Sequence, residues 1–397
     1  MGFNAMMMTC LTLGYLVLGA FFGVSLLIFP ITLAVRPFNR HLYFSYVSTV
    51  FGVYWYSSLY IIEHFNGTKV KLYGELPLAS DSVLVLSNHK CDLDYTYLWS
   101  AIARVDPRRI GLFKAVLKEA IKYVPVFSWG LKASGFLFLS RTWETDRIHI
   151  KKWAQAMGRD KIPMYLVLYP EGTRYTERRK VKSDEIAKEK GMPLFESELL
   201  LPRTKGLVLL VQCISSYVTC ILDMTIAYAK KDGTLLKGSE MGTSVLKKVA
   251  SGQSPMATVH IHFKRHQMKD LPPEEDKLAD WCQEAWRQKD TLLTTLARTG
   301  SFPSPLTNVS TPSRFSMLLA MAVFTTLVAI GIQLFITSSW FRWYVPSCRS
   351  LVCSLQSLPF YLWLKLPLWI LQVSTDRECD SNHDCGYRFA PVVRGWE

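Results

Sequence analysis

DSVLVLSNHKCDLDYTYLW runs from Asp81 to Trp99. Its first part, Ser82 to Ser87, is a short apolar run of β-branched and aliphatic residues, the pattern of a buried strand. The run breaks into Asn88-His89-Lys90-Cys91-Asp92-Leu93-Asp94, and an aromatic segment, Tyr95 to Trp99, follows. Alternating α/β folds place chemistry in the loop that leaves a buried strand. A histidine there can remove a proton near neutral pH, and a carboxylate can fix its tautomer and stabilise its charged form. Asp94 lies five residues after His89, so a continuous helix would put the two on different faces. A strand-end loop leading into a helix can bring them together. Taken alone, the stretch fits equally a satisfied loop histidine with two aspartates capping the next helix.

Outward from this stretch, apolar runs alternate with amphipathic ones, as in an α/β domain. Pro107 to Lys122 has helical character. Ser134 to Arg141 reads as a strand, followed by a helix from Thr142 to Met157. Met164 to Tyr169 is another strand, closed by Pro170. Further strands are expected at Lys205 to Leu210, Asp223 to Tyr228 and Thr258 to Phe263. Ser183 to Lys190 fits a short helix capped by Ser183, and Glu274 to Ala297 a last surface helix.

The chain has 397 residues, 49% of them hydrophobic, enough for one sizeable core with apolar segments left over. Met6 to Val35 carries no charge and reads as an uncleaved membrane anchor. Tyr43 to Glu63, rich in tyrosine and serine, suits a tilted or interfacial helix. Phe315 to Thr337 is long and apolar enough to span. Leu351 to Val373 fits a second span or a re-entrant hairpin, with Trp340, Trp343 and Tyr344 as interfacial anchors before it. Ser301 to Pro312 is a Pro/Ser/Thr linker. The expected organisation is membrane anchor helices over 1–66, an α/β domain over 67–300, a linker over 301–314, a membrane hairpin over 315–375 and a tail over 376–397. A formal charge of +14 on such a chain points to anionic headgroups and phosphorylated substrates, and nucleic acid is not expected as a partner. Nine scattered cysteines lack the spacing of a zinc site. Cys379, His383 and Cys385 are read as part of a flexible tail, and His260 and His262, without a third ligand at suitable spacing, as structural; no metal is expected.

Three more polar knots adjoin strand-like runs. Gly135 to Arg141 ends on a guanidinium, which can fork onto a phosphate. Glu171-Gly172-Thr173-Arg174 follows the next strand, with a glycine for close backbone approach and donors for an anion. Leu201-Pro-Arg203-Thr-Lys205-Gly206 adds two cations.

Asn88 to Asp94 (NHKCDLD) resembles the NHxxxxD signature of the glycerolipid acyltransferases. Gly135 to Arg141 resembles their second block, Glu171 to Arg174 their third, and Leu201 to Gly206 stands where the fourth is expected. The order and spacing agree over about 130 residues, from Asn88 to Gly206. The fourth block, LPRTKG, departs from the commoner bacterial pattern. Together with His260 to Pro272 it resembles the eukaryotic endoplasmic-reticulum branch of the 1-acylglycerol-3-phosphate (lysophosphatidic acid) acyltransferases.

The resemblance implies a central mixed sheet flanked by helices, with membrane helices at both ends. It implies acyl transfer from acyl-CoA, a co-substrate and not a cofactor, to lysophosphatidic acid in a phospholipid membrane. His89 would be the general base and Asp94 its orienter, with no covalent acyl-enzyme and Cys91 a bystander. Arg141, Glu171, Gly172, Thr173 and Arg174 would bind the acceptor, and Arg203 and Lys205 would help there or meet the phosphates of coenzyme A. Asp92 is the alternative orienter. The catalytic domain would face the cytosol from the endoplasmic reticulum, where the sequons at Asn66 and Asn308 stay unmodified. Alternatives are another acceptor, such as lysocardiolipin or lysophosphatidylinositol, a non-catalytic lipid-binding scaffold, and a metal-dependent membrane hydrolase.

Overall fold

A computed structural model describes residues 12, 14–78, 80–124, 127–241 and 244–337. They belong to the first of two units, Met1–Ser357; the second, Leu358–Glu397, lies outside the described residues. The expected hairpin over Leu351 to Val373, its aromatic anchors and the cysteine-histidine tail lie outside them too.

Seven strands form one mixed sheet: β1 (Lys69–Gly74), β2 (Val83–Ser87), β3 (Phe113–Lys118), β4 (Leu137–Leu139), β5 (Tyr165–Leu168), β6 (Cys220–Ala229) and β7 (Thr258–Gln267), in the spatial order β1-β7-β6-β2-β5-β3-β4. β2 lies between β5 and β6, parallel to both, with Leu84 opposite Leu166 and Ile221. A strand hydrogen-bonded on both edges and covered on both faces must be apolar throughout, and all five residues of β2 are buried. After β2 the chain goes out to β3 and β4, then returns to insert β5 beside β2. A reversal of strand order leaves a crevice at the carboxyl ends of the strands, and there the polar knots emerge. β6 and β7 pair antiparallel, and β1 joins the far side of β7 in parallel.

The helices Trp143–Arg159, Thr204–Ile214 and Glu275–Thr299 pack on one another, while Asp94–Val105 packs against Arg40–Leu59. Asn39 caps Arg40–Leu59 by accepting from Leu42 N at 2.9 Å. Its Tyr43, Val47, Val50, Tyr54 and Trp55 recur at helical spacing and are buried, with Trp55 stacked on Trp99 at 4.9 Å. The apolar stretch Tyr43 to Glu63 thus turns one side into the body. Gly111 permits the contact, because a Cβ there would stand 1.7 Å from the Ser48 carbonyl oxygen. Among the described residues one helix is long and apolar enough to cross a bilayer, Arg314–Leu334, 21 residues of mean hydropathy 2.3. The N-terminal apolar stretch is broken into a π-helical turn, Gly19–Gly23, and a helix, Val24–Ala34, that contains Pro30. Ser301 to Pro312 is no free linker: Leu306 bridges Tyr73 of β1, and Phe302 is buried.

Several sequence-based expectations are corrected. Lys205 to Leu210 is helix, not strand, because Leu207, Leu210, Val211 and Ile214 bury one face at helical spacing. Pro107 to Lys122 is two 3-10 turns around β3, which pairs β5 and β4. The strand expected over Ser134 to Arg141 shrinks to β4, since Gly135 takes φ +89°. The helix expected from Ser183 begins at Glu177, capped by Thr176, and the Ser183 hydroxyl accepts from Leu201 N at 2.8 Å.

Candidate functional site

Beyond Ser87 the backbone leaves the sheet, and the Asn88 carboxamide completes the ladder in its place. It accepts from Ile226 N at 2.9 Å and donates to Ile226 O at 3.0 Å. That clamp fixes where the next residue starts. The turn that follows ends in the helix Asp94–Val105, whose first residue points back at the loop. Asp94 is fully buried and accepts from Lys90 N at 2.7 Å and from Cys91 N at 3.1 Å. His89 Nδ1 lies 2.7 Å from Asp94 Oδ2, while the imidazole is 18% exposed. A carboxylate partner selects the Nδ1–H tautomer and leaves the Nε2 lone pair free. The ring of Tyr169, the residue after β5, stacks on His89 at 4.0 Å and 17°. His89 O accepts from Tyr175 N at 2.8 Å, which ties the first polar knot to the third.

Of the two aspartates, Asp94 is the one in contact with the imidazole. Asp92 pairs with Arg174, Oδ2 to Nη1 at 2.5 Å; burial raises its carboxyl above the usual range, against the pull of Arg174. Cys91 is buried beside Asp94, and burial together with that carboxylate pushes its thiol well up, away from the thiolate a nucleophile needs. Tyr228 reaches over from β6 and donates to Asp94 Oδ1.

A cationic wall stands beside the base. Arg141, in the left-handed region at φ +71°, donates through Nη2 to Gly172 O at 2.7 Å. Its backbone is pinned by Asp146, which also holds Ser140. Gly172 has φ +70°, and an added Cβ would stand 3.4 Å from the Arg203 side chain, so Arg141, Gly172 and Arg203 meet. Lys118 closes the group from the end of β3. Burial lowers its ammonium to about 8, assisted by the like charges of Arg141, Arg179 and Arg174. The same crowding, burial first and then Arg203 and Arg179, lowers Arg141. Like charges held together against their own repulsion, beside a loop carbonyl, suit a multiply charged anion such as a phosphate monoester.

The expected residues do not all line this wall. Thr173 is half-buried, and Lys205 is exposed on the first turn of its helix. Glu171 is 3% exposed, and neither carboxylate oxygen has a hydrogen-bond partner among the described residues. Burial, then Asp94, pushes its carboxyl well above the usual range, so it stands beneath the His89 loop rather than at the opening. His260 and His262 are structural: one bonds the Tyr73 hydroxyl at 3.1 Å, the other the Ser304 hydroxyl at 2.9 Å. Lys118, Tyr169, Arg179 and Tyr228 escaped the sequence reading. Tyr169 adjoins Pro170 and Lys118 ends a strand, but Tyr228 sits mid-strand with nothing in the sequence to mark it. A cavity of about 570 Å³ lies elsewhere, past the end of β6, lined by Lys230, Lys231 and Lys248 and not by His89.

The comparisons with known proteins agree with this geometry. Residues 69–225 match the family model described as Acyltransferase, and residues 251–324 the one described as Acyltransferase C-terminus. The 1-acyl-sn-glycerol-3-phosphate acyltransferase 2 of Arabidopsis thaliana is 31% identical over 316 residues, 77% of each chain. The lysocardiolipin acyltransferase 1 of Danio rerio is 29% identical over 278 residues, 70% of this chain and 68% of that one. A crystal structure of a 1-acyl-sn-glycerophosphate acyltransferase from Thermotoga maritima superposes with a TM-score of 0.44 at 15% identity, covering 73% of this chain and 96% of that one. By its family model and the extent of its kinship with the plant enzymes, the chain belongs to the 1-acyl-sn-glycerol-3-phosphate acyltransferase family.

Proposed function

We propose that the protein transfers a fatty acyl group from acyl-CoA to the sn-2 hydroxyl of 1-acylglycerol-3-phosphate, giving phosphatidic acid and CoA at a membrane surface. The observation that carries this reading is the 2.7 Å contact between His89 Nδ1 and a buried Asp94, with Nε2 left as a base on the partly exposed edge of the ring. In the proposed reaction Nε2 takes the hydroxyl proton as the lipid oxygen bonds to the thioester carbon. Asp94 stabilises the imidazolium that forms. The carbon–sulfur bond then breaks, and the proton passes from His89 to the departing CoA thiolate. No acyl-enzyme is needed, and the one thiol at the base is buried and protonated. Lys118, Arg141 and Arg203 would hold the acceptor phosphate. Lys205, farther out, would meet a coenzyme A phosphate.

The apolar, exposed helix Arg314–Leu334 supports a membrane-held enzyme. Acyl-CoA is cytosolic, which favours a catalytic domain on the cytosolic side of the endoplasmic reticulum. The kinship with lysocardiolipin acyltransferases favours, as a second reading, an acceptor with a larger headgroup. Purified protein in nanodiscs, offered labelled acyl-CoA and a panel of lysophospholipids, separates the two. His89→Ala should abolish transfer to every acceptor while the protein stays folded and membrane-bound. Substantial residual transfer would end the assignment of the base.

A further inference from the structure

The least explained contact at the site comes from the far side of the sheet. Asp94 has two oxygens to satisfy in a fully buried position. Oδ2 is taken by His89 Nδ1 and Lys90 N. Oδ1 has Cys91 N at 3.2 Å, the weak Cys91 thiol donor at 3.5 Å and the Tyr228 hydroxyl, the strongest donor of the three. Tyr228 is itself fully buried near the end of β6, on the strand whose Ile226 receives the Asn88 clamp. Its ring packs edge-on to Tyr97 at 5.5 Å, and its backbone carbonyl accepts from Leu236 N at 2.8 Å. The phenol is thus held at both ring and backbone and has little freedom to leave Asp94.

We propose that Tyr228 is a positioning residue for acyl transfer: its hydroxyl, donating to Asp94 Oδ1, sets the carboxylate plane and through it the angle of the His89 ring. The inference rests on His89 and Asp94 being the base and its orienter. A carboxylate held on both oxygens cannot rotate about its Cβ–Cγ bond, so Oδ2 keeps its aim at Nδ1. Burial, and then the neighbouring Asp94, pushes the phenol well above its usual range, so it remains a donor wherever the enzyme works. The hydroxyl dipole also presents its positive end to the carboxylate, partly offsetting the field that draws a proton onto His89. Apart from His89, the groups facing Asp94 are Cys91 and Asp92 from the loop, Tyr95 and Tyr97 from the helix and Tyr169 and Glu171 after β5; all are buried in whole or in large part.

The test is Tyr228→Phe, which keeps the ring and removes only the hydroxyl. Tyr97→Phe serves as a packing control and His89→Ala as a control on the base. Each is purified as the full chain in nanodiscs and assayed with oleoyl-CoA and lysophosphatidic acid. Tyr228→Phe should lower kcat about tenfold to a hundredfold, the loss expected for one hydrogen bond to a charged group. Both KM values should stay within about twofold, and the acid limb of the kcat/KM profile should move to higher pH, because the imidazolium forms more readily without the opposing dipole. Tyr97→Phe should keep its kcat and its acid limb. If His89→Ala is inactive while Tyr228→Phe keeps the wild-type kcat and acid limb, the positioning role is wrong and the base stands. If Tyr228→Phe and Tyr97→Phe lose activity and thermal stability alike, with the acid limb unmoved, Tyr228 only packs. Activity in His89→Ala would overturn both.

Discussion

Lys118 offers the sharpest test of the cationic wall, because its charge is set by the wall itself. Burial and the nearby guanidinium groups of Arg141, Arg179 and Arg174 lower its ammonium to about 8. A lysine so lowered is cationic below about pH 8 and neutral above it, so its pull on an acceptor phosphate is present at neutral pH and lost as the pH rises. Lys118→Met removes that pull at every pH. One charge-assisted hydrogen bond is worth about 1.5–3 kcal/mol, which converts to roughly a tenfold to hundredfold loss in kcat/KM for the phosphorylated acceptor. The KM for acyl-CoA should stay put. In wild-type enzyme the acceptor KM should climb between about pH 7 and pH 9.5, and in Lys118→Met it should be high and flat. Lys118→Arg should retain acceptor affinity and lose the climb, because arginine stays charged across that range. Initial rates with each substrate varied in turn read all of this out. An acceptor KM within twofold of wild type in Lys118→Met, or equal losses for both substrates, would refute the phosphate role.

Two further outcomes follow from buried contacts. Arg104 and Glu63 form a bidentate pair, both 3% exposed, that joins the N-terminal helical segment to the helix that starts at Asp94. Arg104→Met should cost about 3–5 kcal/mol by stranding Glu63, and adding Glu63→Leu should recover much of it; thermal unfolding in detergent measures both. Asn66 donates to Ile61 O at 2.7 Å and Val249 O at 2.9 Å, and accepts from Ser254 N. Its amide nitrogen is occupied by the fold, so the sequon should carry no glycan, and an endoglycosidase mobility shift at Asn66 would contradict this together with the cytosolic orientation.

Much of the site could be read from the chain because its parts are local. Asn88 to Asp94 is one loop, and an aspartate on the first turn of a helix folds back onto a histidine five residues earlier with no help from distant residues. Arg141 and Gly172 announced themselves by ending strands. What the sequence hid are contacts made across the sheet. Tyr228 meets Asp94 only because β6 is parallel to β2 in one register, and a shift by one residue would turn the phenol to the other face. Lys118 lay inside a stretch read as helix: the basic and apolar residues of Phe113–Lys118 fit either period, and pairing with β5 decided between them. Lys205 to Leu210 failed the other way, since six aliphatic or small residues before a turn suit a buried strand until the helical face is seen whole. The fate of Glu171 was equally invisible, because burial depends on what covers the loop, here the helix that carries Trp286.

The two segments matched by family models, 69–225 and 251–324, are parts of one structural unit rather than successive domains. The first segment ends inside β6, and all ten residues of β6, from Cys220 to Ala229, pair with β7, which belongs to the second. β1, where the first segment begins, reaches the sheet through β7. The following helix then sends Lys289, fully buried, between the central strands. Its ammonium donates to Met224 O at 2.6 Å, lies 3.4 Å from Leu86 O and pairs with Asp223. Burying that charge costs several kcal/mol unless its partners are well placed, so the amine holds these groups in position as much as they hold it. Leu86 is three residues before His89, and Met224 four before Tyr228. The C-terminal helix thereby braces the two strands that deliver the imidazole and the phenol to opposite sides of Asp94, which makes the geometry of the base a property of both matched segments together.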